Sequence, residues 1–267
     1  MHKKKEGKVK TIAIINQKGG VGKTTTSINL AAELSFKRQR VIVVDMDPQS
    51  HATIGLGVEN NLGMADILTR GEIIPNVIRR VSAENVRRLE LHVAPAGATL
   101  DAIESKLAED MNYIYILKNI LCDMEDKYDY VIIDCRPAID SLTENALYAA
   151  DHLVVPCEMS RYSLEGFAGL METIKDIKGP DFNDDNHLRI LLTKFDARKS
   201  VTNDWVLGEL SDYNGRGMIF ETTIRQTEAI NQAGIAQEPV RMYAKKSNGA
   251  KDYADLCDEV IAWGEKS

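Results

Sequence analysis

The sequence of 267 residues predicts an α/β protein: a single doubly wound domain, with a mostly parallel sheet and helices on both faces. Seven short apolar runs, rich in valine and isoleucine, recur along the chain with helix-like stretches between them. The runs are continuous rather than alternating, which is typical of parallel strands buried on both faces. No internal repeat, low-complexity tract or linker rich in proline and glycine divides the chain, so one domain is expected over residues 10–267.

The apolar runs define the predicted strands, and the stretches between them define the main predicted helices. Strands are expected over residues 11–16, 40–45, 89–94, 130–134, 152–157, 188–195 and 218–224. Helices are expected over residues 24–37, 142–150, 163–177 and 251–263. The polar run 183–186 is expected to be a loop.

Composition and charge exclude several classes of protein. Hydrophobic residues make up 44% of the chain, yet no stretch approaches the roughly 18 consecutive apolar residues of a membrane span, so no membrane association is expected. The net charge of −7 does not indicate nucleic-acid binding, which would require a local basic patch. Residues 1–9 are basic without a following apolar segment, which argues against a signal peptide. They are expected to form a disordered, solvated tail, with weak contact to polyanions as the alternative.

The four cysteines are Cys122, Cys135, Cys157 and Cys257, and they are widely spaced. No C-x-x-C pair is present, which argues against a zinc site and against a disulfide framework. Free cysteines suit a reducing compartment, so the expected location is the cytoplasm.

Residues 16–25, with the sequence NQKGGVGKTT, join a predicted strand to a predicted helix. The glycines allow backbone N–H groups to converge on phosphate oxygens at the helix N-terminus. Lys23 would reach the β- and γ-phosphates, and the hydroxyl of Thr24 would bind Mg²⁺. The strict pattern G-x-x-x-x-G-K-[ST] fails, because Gln17 occupies its first glycine position, and an additional lysine, Lys18, follows. The stretch predicts a phosphate-binding loop of an unusual type.

Carboxylates follow two of the predicted strands. Asp45 and Asp47 lie in the sequence VDMDPQ, and Asp134 ends the apolar run YVIID. Acidic side chains at strand ends beside a phosphate loop can hold Mg²⁺-bound water or orient an attacking water. The alternative for the first pair is that both only cap the end of the strand. An apolar strand that ends in aspartate is weak evidence alone, but it gains weight beside a phosphate loop.

These motifs together resemble the ParA/MinD superfamily of P-loop ATPases. KGGVGKTT resembles its deviant Walker A motif, DMDPQ its D-x-D-P-Q element, and the strand ending in Asp134 its Walker B motif. The segments 61–68 and 155–166 are also similar to family segments, so the resemblance covers nearly the whole chain. Residues 243–250 resemble the C-terminal signature of small, Soj-like ParA partition ATPases, which lack an N-terminal helix-turn-helix domain.

The resemblance implies ATP and Mg²⁺ as cofactors, and a homodimer with ATP sandwiched at its interface. Lys18 would be the signature lysine, which reaches the nucleotide of the other protomer, and Asp47 would position the hydrolytic water. Both are the expected catalytic residues. Magnesium would be held by Thr24, Asp47 and Asp134. The residues expected to bind the nucleotide are Lys18, Gly19, Gly20, Val21, Gly22, Lys23, Thr24 and Thr25.

The sequence departs from the family pattern at two places. Arg136 stands where the family's Asp-x-Pro-Pro has its first proline, and it would lie near the phosphates or the dimer face, or simply pair with a surface carboxylate. Its neighbour Cys135 is expected to be a packing residue. The family's Ile-Pro-Arg is replaced by Ile224-Arg225-Gln226, which displaces an arginine by one position.

The resemblance also implies partners, which are a ParB-like adaptor and DNA bound without sequence preference, with the ATP state on the nucleoid. The expected DNA contacts are Arg198, Arg225, Lys245, Lys246 and Lys251, with Lys199 and Arg241 as further candidates. The acidic C-terminal segment is unlike the basic membrane helix of MinD-type proteins.

Two other functions remain open on the sequence alone. An ATP-switched dimeric scaffold could position a protein assembly or regulate division without binding DNA, which the net charge and the altered Ile-Arg-Gln favour. A metabolic P-loop enzyme that acts on a small acceptor is the weaker alternative, because the resemblance assigns Lys18 to the ATP of a partner.

Overall fold

The structure, a computed structural model, describes residues 9–70, 74–81, 89–161, 164 and 166–265. The predicted tail therefore lies outside the described residues, except for Val9. Val9 is 5% exposed and belongs to the hydrophobic core, so ordered packing includes the last residue of the predicted tail.

A seven-stranded sheet forms the centre of the molecule, in the order β3-β4-β2-β5-β1-β6-β7. Its neighbouring strands pair in parallel, except that β3 runs antiparallel to β4. This order confirms the predicted doubly wound, mostly parallel fold. The strands are β1 (Lys10–Ile14), β2 (Val41–Met46), β3 (Arg79–Arg80), β4 (Leu91–Ala94), β5 (Tyr130–Cys135), β6 (His152–Glu158) and β7 (Leu188–Thr193).

Helices cover both faces of this sheet. They are α1 (Lys23–Phe36), α2 (His51–Gly55), α3 (Met64–Arg70), α4 (Ile74–Val77), α5 (Leu100–Ala108), α6 (Ile116–Cys122), α7 (Ser141–Ala149), α8 (Phe167–Lys178), α9 (Asp184–His187), α10 (Ser200–Glu209), α11 (Ser211–Gly215), α12 (Glu228–Ile235), α13 (Val240–Tyr243) and α14 (Asn248–Gly264), with a 3₁₀ turn at Tyr113–Tyr115. Among the described residues, none of these helices has the length and apolar character needed to cross a bilayer.

The two faces of the sheet contribute to two separate hydrophobic clusters. Ile12 and Ile14 of β1 pack against α1 and α14, whereas Ala13 and Ile15 pack in the cluster that includes α7 and α8. Successive side chains of a strand point to opposite faces, so a strand covered on both sides must be apolar at every position. This is why the strands appear in the sequence as continuous apolar runs.

The predicted strand at 218–224 is wrong. The segment forms no regular ladder with β7: it makes an isolated bridge between Ile219 and Ile190 and one hydrogen bond from the N–H of Ile224 to the carbonyl of Leu192 at 2.8 Å. Glu259 on α14 accepts the backbone N–H groups of residues 221 and 222, at 3.0 and 2.8 Å. The carboxylate of Glu259 thus binds backbone N–H groups that a regular β-ladder with β7 would use.

Four smaller differences concern the bounds and presence of single elements. The predicted loop 183–186 contains the short helix α9, because the side chain of Asn183 caps it by accepting the N–H of Asp185. The predicted helix 251–263 begins earlier, at Asn248, where the hydroxyl of Ser247 accepts the N–H of Ala250 at 3.1 Å. The predicted helix 163–177 is described from Phe167, and the two-residue antiparallel strand β3 has no pattern in the sequence.

Candidate nucleotide-binding site

The loop between β1 and α1 forms the floor of a cleft of about 670 Å³. Gly20 and Gly22 have φ values of 76° and 93°, which favour glycine, and the N-terminus of α1 has no side-chain cap. The hydroxyl of Thr193 holds the loop by donating to the carbonyl of Val21 at 2.8 Å. The loop is therefore fixed on the sheet while its N–H groups at α1 remain suited to an anion.

Lys23 lies inside this loop rather than in solvent. It is 6% exposed, and its ammonium donates to the carbonyl of Lys18 at 2.9 Å. Burial lowers the pKa of Lys23, and the nearby carboxyls, Asp134 foremost, oppose that shift. A buried cation in a glycine-rich loop is what a bound phosphate would neutralise.

Asp134 at the end of β5 is fully buried and faces the start of α1. It accepts the hydroxyl of Thr24 at 2.8 Å and that of Ser27 at 2.7 Å. Burial, together with the charge of Asp45, raises the pKa of Asp134, and the two hydroxyl groups oppose this. The sequence prediction did not include Ser27, although its position one helical turn after Thr24 could have indicated it.

Asp45 and Asp47 have different environments. Asp45 is fully buried and accepts the N–H and the hydroxyl of Thr53, at 2.8 and 2.6 Å. It also accepts the N–H of Asp47 at 3.1 Å, and burial raises its pKa. Asp47 is 6% exposed and lines the cleft, where its carboxylate accepts the N–H of Gln49 at 2.9 Å. Asp45 is a structural support, and Asp47 is the carboxylate available to a ligand.

The oxygen groups at this end of the cleft fit the magnesium ion expected with a nucleotide. The hydroxyl of Thr24 and the carboxylates of Asp134 and Asp47 are hard oxygen donors, which Mg²⁺ prefers. The structure brings most of the predicted nucleotide and magnesium positions together: Gly19, Gly20, Gly22, Lys23, Thr24, Thr25 and Asp47 line one cleft, and Asp134 accepts the hydroxyl of Thr24 beside it. The sequence analysis missed the other residues that line the cleft, which include Thr193, Lys194, Ile224, Arg225, Gln226, Thr227, Ile230, Asn231 and Tyr253.

Lys18 is the exception, because it is not among the described residues that line the cleft. Its backbone N–H donates to the side-chain oxygen of Asn16 at 3.0 Å. Its ammonium donates to the hydroxyl of Ser160, after β6, at 3.4 Å. The ammonium groups of Lys18 and Lys23 therefore have different hydrogen-bond partners, even though the two residues are only five positions apart.

Arg136 pairs with carboxylates of its own chain. Its guanidinium lies 3.0 Å from the carboxylate of Asp140 and 3.9 Å from that of Asp101. Cys135 is 1% exposed, and burial raises the pKa of its thiol, which confirms it as a packing residue.

The predicted DNA contacts fall into two groups. Arg198 is bound by its neighbour Asp196 at 2.8 and 2.9 Å, and Arg225 is bound by Asp252, with 3.1 Å from Nε to each carboxylate oxygen. The other group is exposed on the surface, and it consists of Lys245, Lys246 and Lys251. The two arginines carry neutralised charges, so the lysines are the stronger candidates.

The two further candidate DNA contacts also consist of one paired and one exposed side chain. Arg241 forms an ion pair with Glu33 on α1 at 2.6 Å, so it serves the fold. Lys199 is exposed at the start of α10.

The sheet order and the glycine-rich loop before α1 define a P-loop nucleotide-binding protein. A family model described as an AAA domain matches residues 9–203. Sporulation initiation inhibitor protein Soj of Bacillus subtilis is 38% identical over 259 residues, 96% of this chain and 99% of that protein. The chromosome-partitioning ATPase Soj of Thermus thermophilus is 36% identical over 260 residues, 96% of each chain. The chain therefore belongs to the Soj/ParA family of ATPases.

Solved structures of other proteins share the fold. Cobyrinic acid a,c-diamide synthase from Mycobacterium smegmatis with bound ADP and magnesium has a TM-score of 0.77 and 28% identity, with 95% of this chain and 94% of that chain covered. An ATP complex of McdA from Cyanothece has a TM-score of 0.82 at 21% identity, with 96% and 97% covered, and so shares the fold.

Proposed function

We propose that the chain is a Mg²⁺-dependent partition ATPase that dimerises around ATP and then binds DNA without sequence preference. A ParB-like adaptor on a plasmid or chromosome would stimulate hydrolysis, which separates the dimer and releases the DNA. The observation that supports this most directly is that Lys18 lies outside the cleft of its own chain, while Lys23 fills the loop.

The chemistry follows from the positions of these side chains. Lys23 and the N–H groups of the loop would hold the phosphates, and Thr24 and Asp134 would hold the metal, which neutralises phosphate charge when bound. Asp47 at the cleft wall would orient the attacking water. Lys18 from the second copy would stabilise the charge that develops on the γ-phosphate, in the way an arginine finger does.

Nucleotide-dependent DNA binding is the first test of this proposal. Binding to a nonspecific duplex would be measured with ATP and Mg²⁺ and with ADP, at two salt concentrations. We expect binding only with ATP, and weaker binding at the higher salt, because each phosphate contact releases counterions. Binding that is equal with ATP and ADP, or insensitive to salt, would contradict the proposal.

The exposed lysines beside α14 give a sharper prediction. The double variant Lys245→Glu/Lys246→Glu should weaken ATP-dependent DNA binding by about tenfold or more and lower the salt slope by about 2, with unchanged ATP hydrolysis. Lys106→Glu on α5 is the matched control, since it introduces the same kind of charge reversal at an exposed lysine elsewhere. Equal DNA affinity in the double variant and the control would exclude these lysines as contacts.

A dimeric scaffold without DNA is the second candidate. It is favoured by the net charge of −7 and by the carboxylates that already bind Arg198 and Arg225. In that case the protein would dimerise with ATP, yet show no DNA binding in either nucleotide state. The DNA measurement separates the two candidates, and sedimentation with ATP shows that the dimer has formed where no DNA binds.

A further inference from the structure

The loop that carries Asp47 contains a serine in an uncommon backbone conformation. Ser50 has φ 57° and ψ 28°, in the left-handed region, and it is 4% exposed. A residue with a Cβ is unfavourable in this conformation, which persists only where surrounding contacts maintain it. The neighbours of Ser50 therefore determine the shape of this loop.

The conformation of Ser50 sets the turn at the cleft wall. The N–H of Ser50 donates to the carbonyl of Asp47 at 2.8 Å, which closes the turn. Within it, the carboxylate of Asp47 accepts the N–H of Gln49 at 2.9 Å, and both residues line the cleft. A change in the backbone at Ser50 would thus move the Asp47 carboxylate.

The hydroxyl of Ser50 donates to the carbonyl of Pro48 at 3.3 Å, and Asn60 supplies its second contact. Its side-chain N–H donates to the hydroxyl oxygen of Ser50 at 2.7 Å. Its side-chain oxygen accepts the N–H of Gly97 at 2.7 Å. One amide therefore joins the turn after β2 to the turn after β4.

The turn after β4 is a firm support. A Cβ on Gly63 would lie 2.3 Å from both the nitrogen of Gly97 and the carbonyl oxygen of Pro95, so the two backbones are in direct contact. The N–H of Met64 donates to the carbonyl of Pro95 at 2.7 Å, which fixes the start of α3 there. The same turn holds Thr53, the partner of Asp45, through the N–H of residue 96 at 3.3 Å.

We propose that Asn60 is a positioning residue for ATP hydrolysis. By holding Ser50 against the turn after β4, it fixes the Asp47 carboxylate at the place where it orients water. The inference rests on the proposed function, since it requires that Asp47 act in hydrolysis. Displacement of a reacting group by about 1 Å can lower a rate by about 100-fold.

A double-mutant cycle tests this proposal. The variants are Asn60→Ala, Ser50→Ala and the double variant, with Asn61→Ala as the control, because Asn61 is an exposed neighbour of the same type. Each single variant should lower kcat by about 10- to 100-fold while the KM and Kd for ATP stay unchanged. The double variant should lose no more than the larger single loss, because both changes remove one interaction.

Other outcomes distinguish a failure of the positioning role of Asn60 from a failure of the proposed role of Asp47 in hydrolysis. Wild-type kcat in Asn60→Ala, or losses that multiply in the double variant, would overturn the positioning role. A loss of ATP affinity equal to the loss of kcat would also overturn it, since that indicates general damage to the fold. The Asp47→Ala variant tests whether Asp47 acts in hydrolysis. It should bind ATP without hydrolysing it, and wild-type hydrolysis in this variant would refute the role of Asp47 itself.

Discussion

Replacing Lys18 with alanine is expected to abolish ATP-dependent dimerisation and to lower hydrolysis by about 10³- to 10⁵-fold, the range measured for arginine fingers. The reason is the proposed role of Lys18 at the nucleotide of the partner: in its own chain Lys18 does not line the cleft, and its ammonium donates to the hydroxyl of Ser160. Removal should therefore leave the binding of ATP to the monomer almost unchanged. Equilibrium sedimentation with ATP and a phosphate-release assay measure the two effects.

A mixing experiment shows whether Lys18 acts on the partner's nucleotide. Lys18→Ala and Asp47→Ala should each be inactive alone. In a mixed dimer, one of the two sites has the intact Asp47 of the first variant and the intact Lys18 of the second. The mixture should recover part of the wild-type rate, at most about half, because only one of the two sites in a mixed dimer is intact. No recovery by mixed dimers that do form would place Lys18 at its own nucleotide instead.

The largest expected effect on stability comes from Arg241→Ala. Glu33 on α1 is 1% exposed, and the guanidinium of Arg241 is its ion-pair partner at 2.6 Å. Removing one partner leaves a buried carboxylate without compensation, which typically costs about 3 to 5 kcal/mol. Arg241 is 31% exposed, so we expect a value of about 3 kcal/mol in the free energy of unfolding, measured with urea near neutral pH.

This loss should depend on pH. Burial raises the pKa of Glu33 above its ordinary value, and Arg241 opposes that shift. A carboxyl whose pKa is raised in the folded state favours folding when it is protonated, and this contribution is lost as pH rises through the folded pKa. The variant lacks the opposing charge, so its deficit should be largest at neutral pH and should shrink on acidification.

Lys37→Ala provides the control for this experiment. Lys37 pairs with Asp258 where α1 meets α14, but the two side chains are 38% and 62% exposed. Exposed pairs contribute about 1 kcal/mol or less. An Arg241→Ala deficit that is as small as the control, or that is constant with pH, would contradict the account of Glu33.

The sequence was most informative where a residue type is required by the local backbone conformation or by local burial. The continuous apolar runs predicted six of the strands, because a buried parallel strand must be apolar on both faces. The glycines at 20 and 22 indicated a phosphate loop for a similarly local reason, their positive φ. The strand predicted at 218–224 failed although its pattern is apolar, because the competing acceptors, Asp252 and Glu259, lie far along the chain.

The residues that hold the site residues in place could not be predicted from the sequence, because they too lie far along the chain from the residues they contact. The spacing of DMDPQ identified Asp47, but no local pattern links it to Asn60 or to the turn after β4. Arg225 looked like an available cation until Asp252, 27 positions later, was found to bind it. Contacts of this kind depend on how α14 and the turns pack, and this is fixed only by the complete fold.

Asp252 and Glu259 of α14 hold the segment before α12 by accepting its backbone N–H groups, and this has a consequence for the order of folding during synthesis. The phosphate loop, residues 16–25, is synthesised long before α14, whereas Arg225 of the cleft lining is held by Asp252 of α14. Chains form structure from the N-terminus as they emerge, so nascent chains without α14 have only one side of the cleft. Nucleotide should therefore stabilise those intermediates less than it stabilises the folded protein, so tight binding is acquired only after α14 has been synthesised.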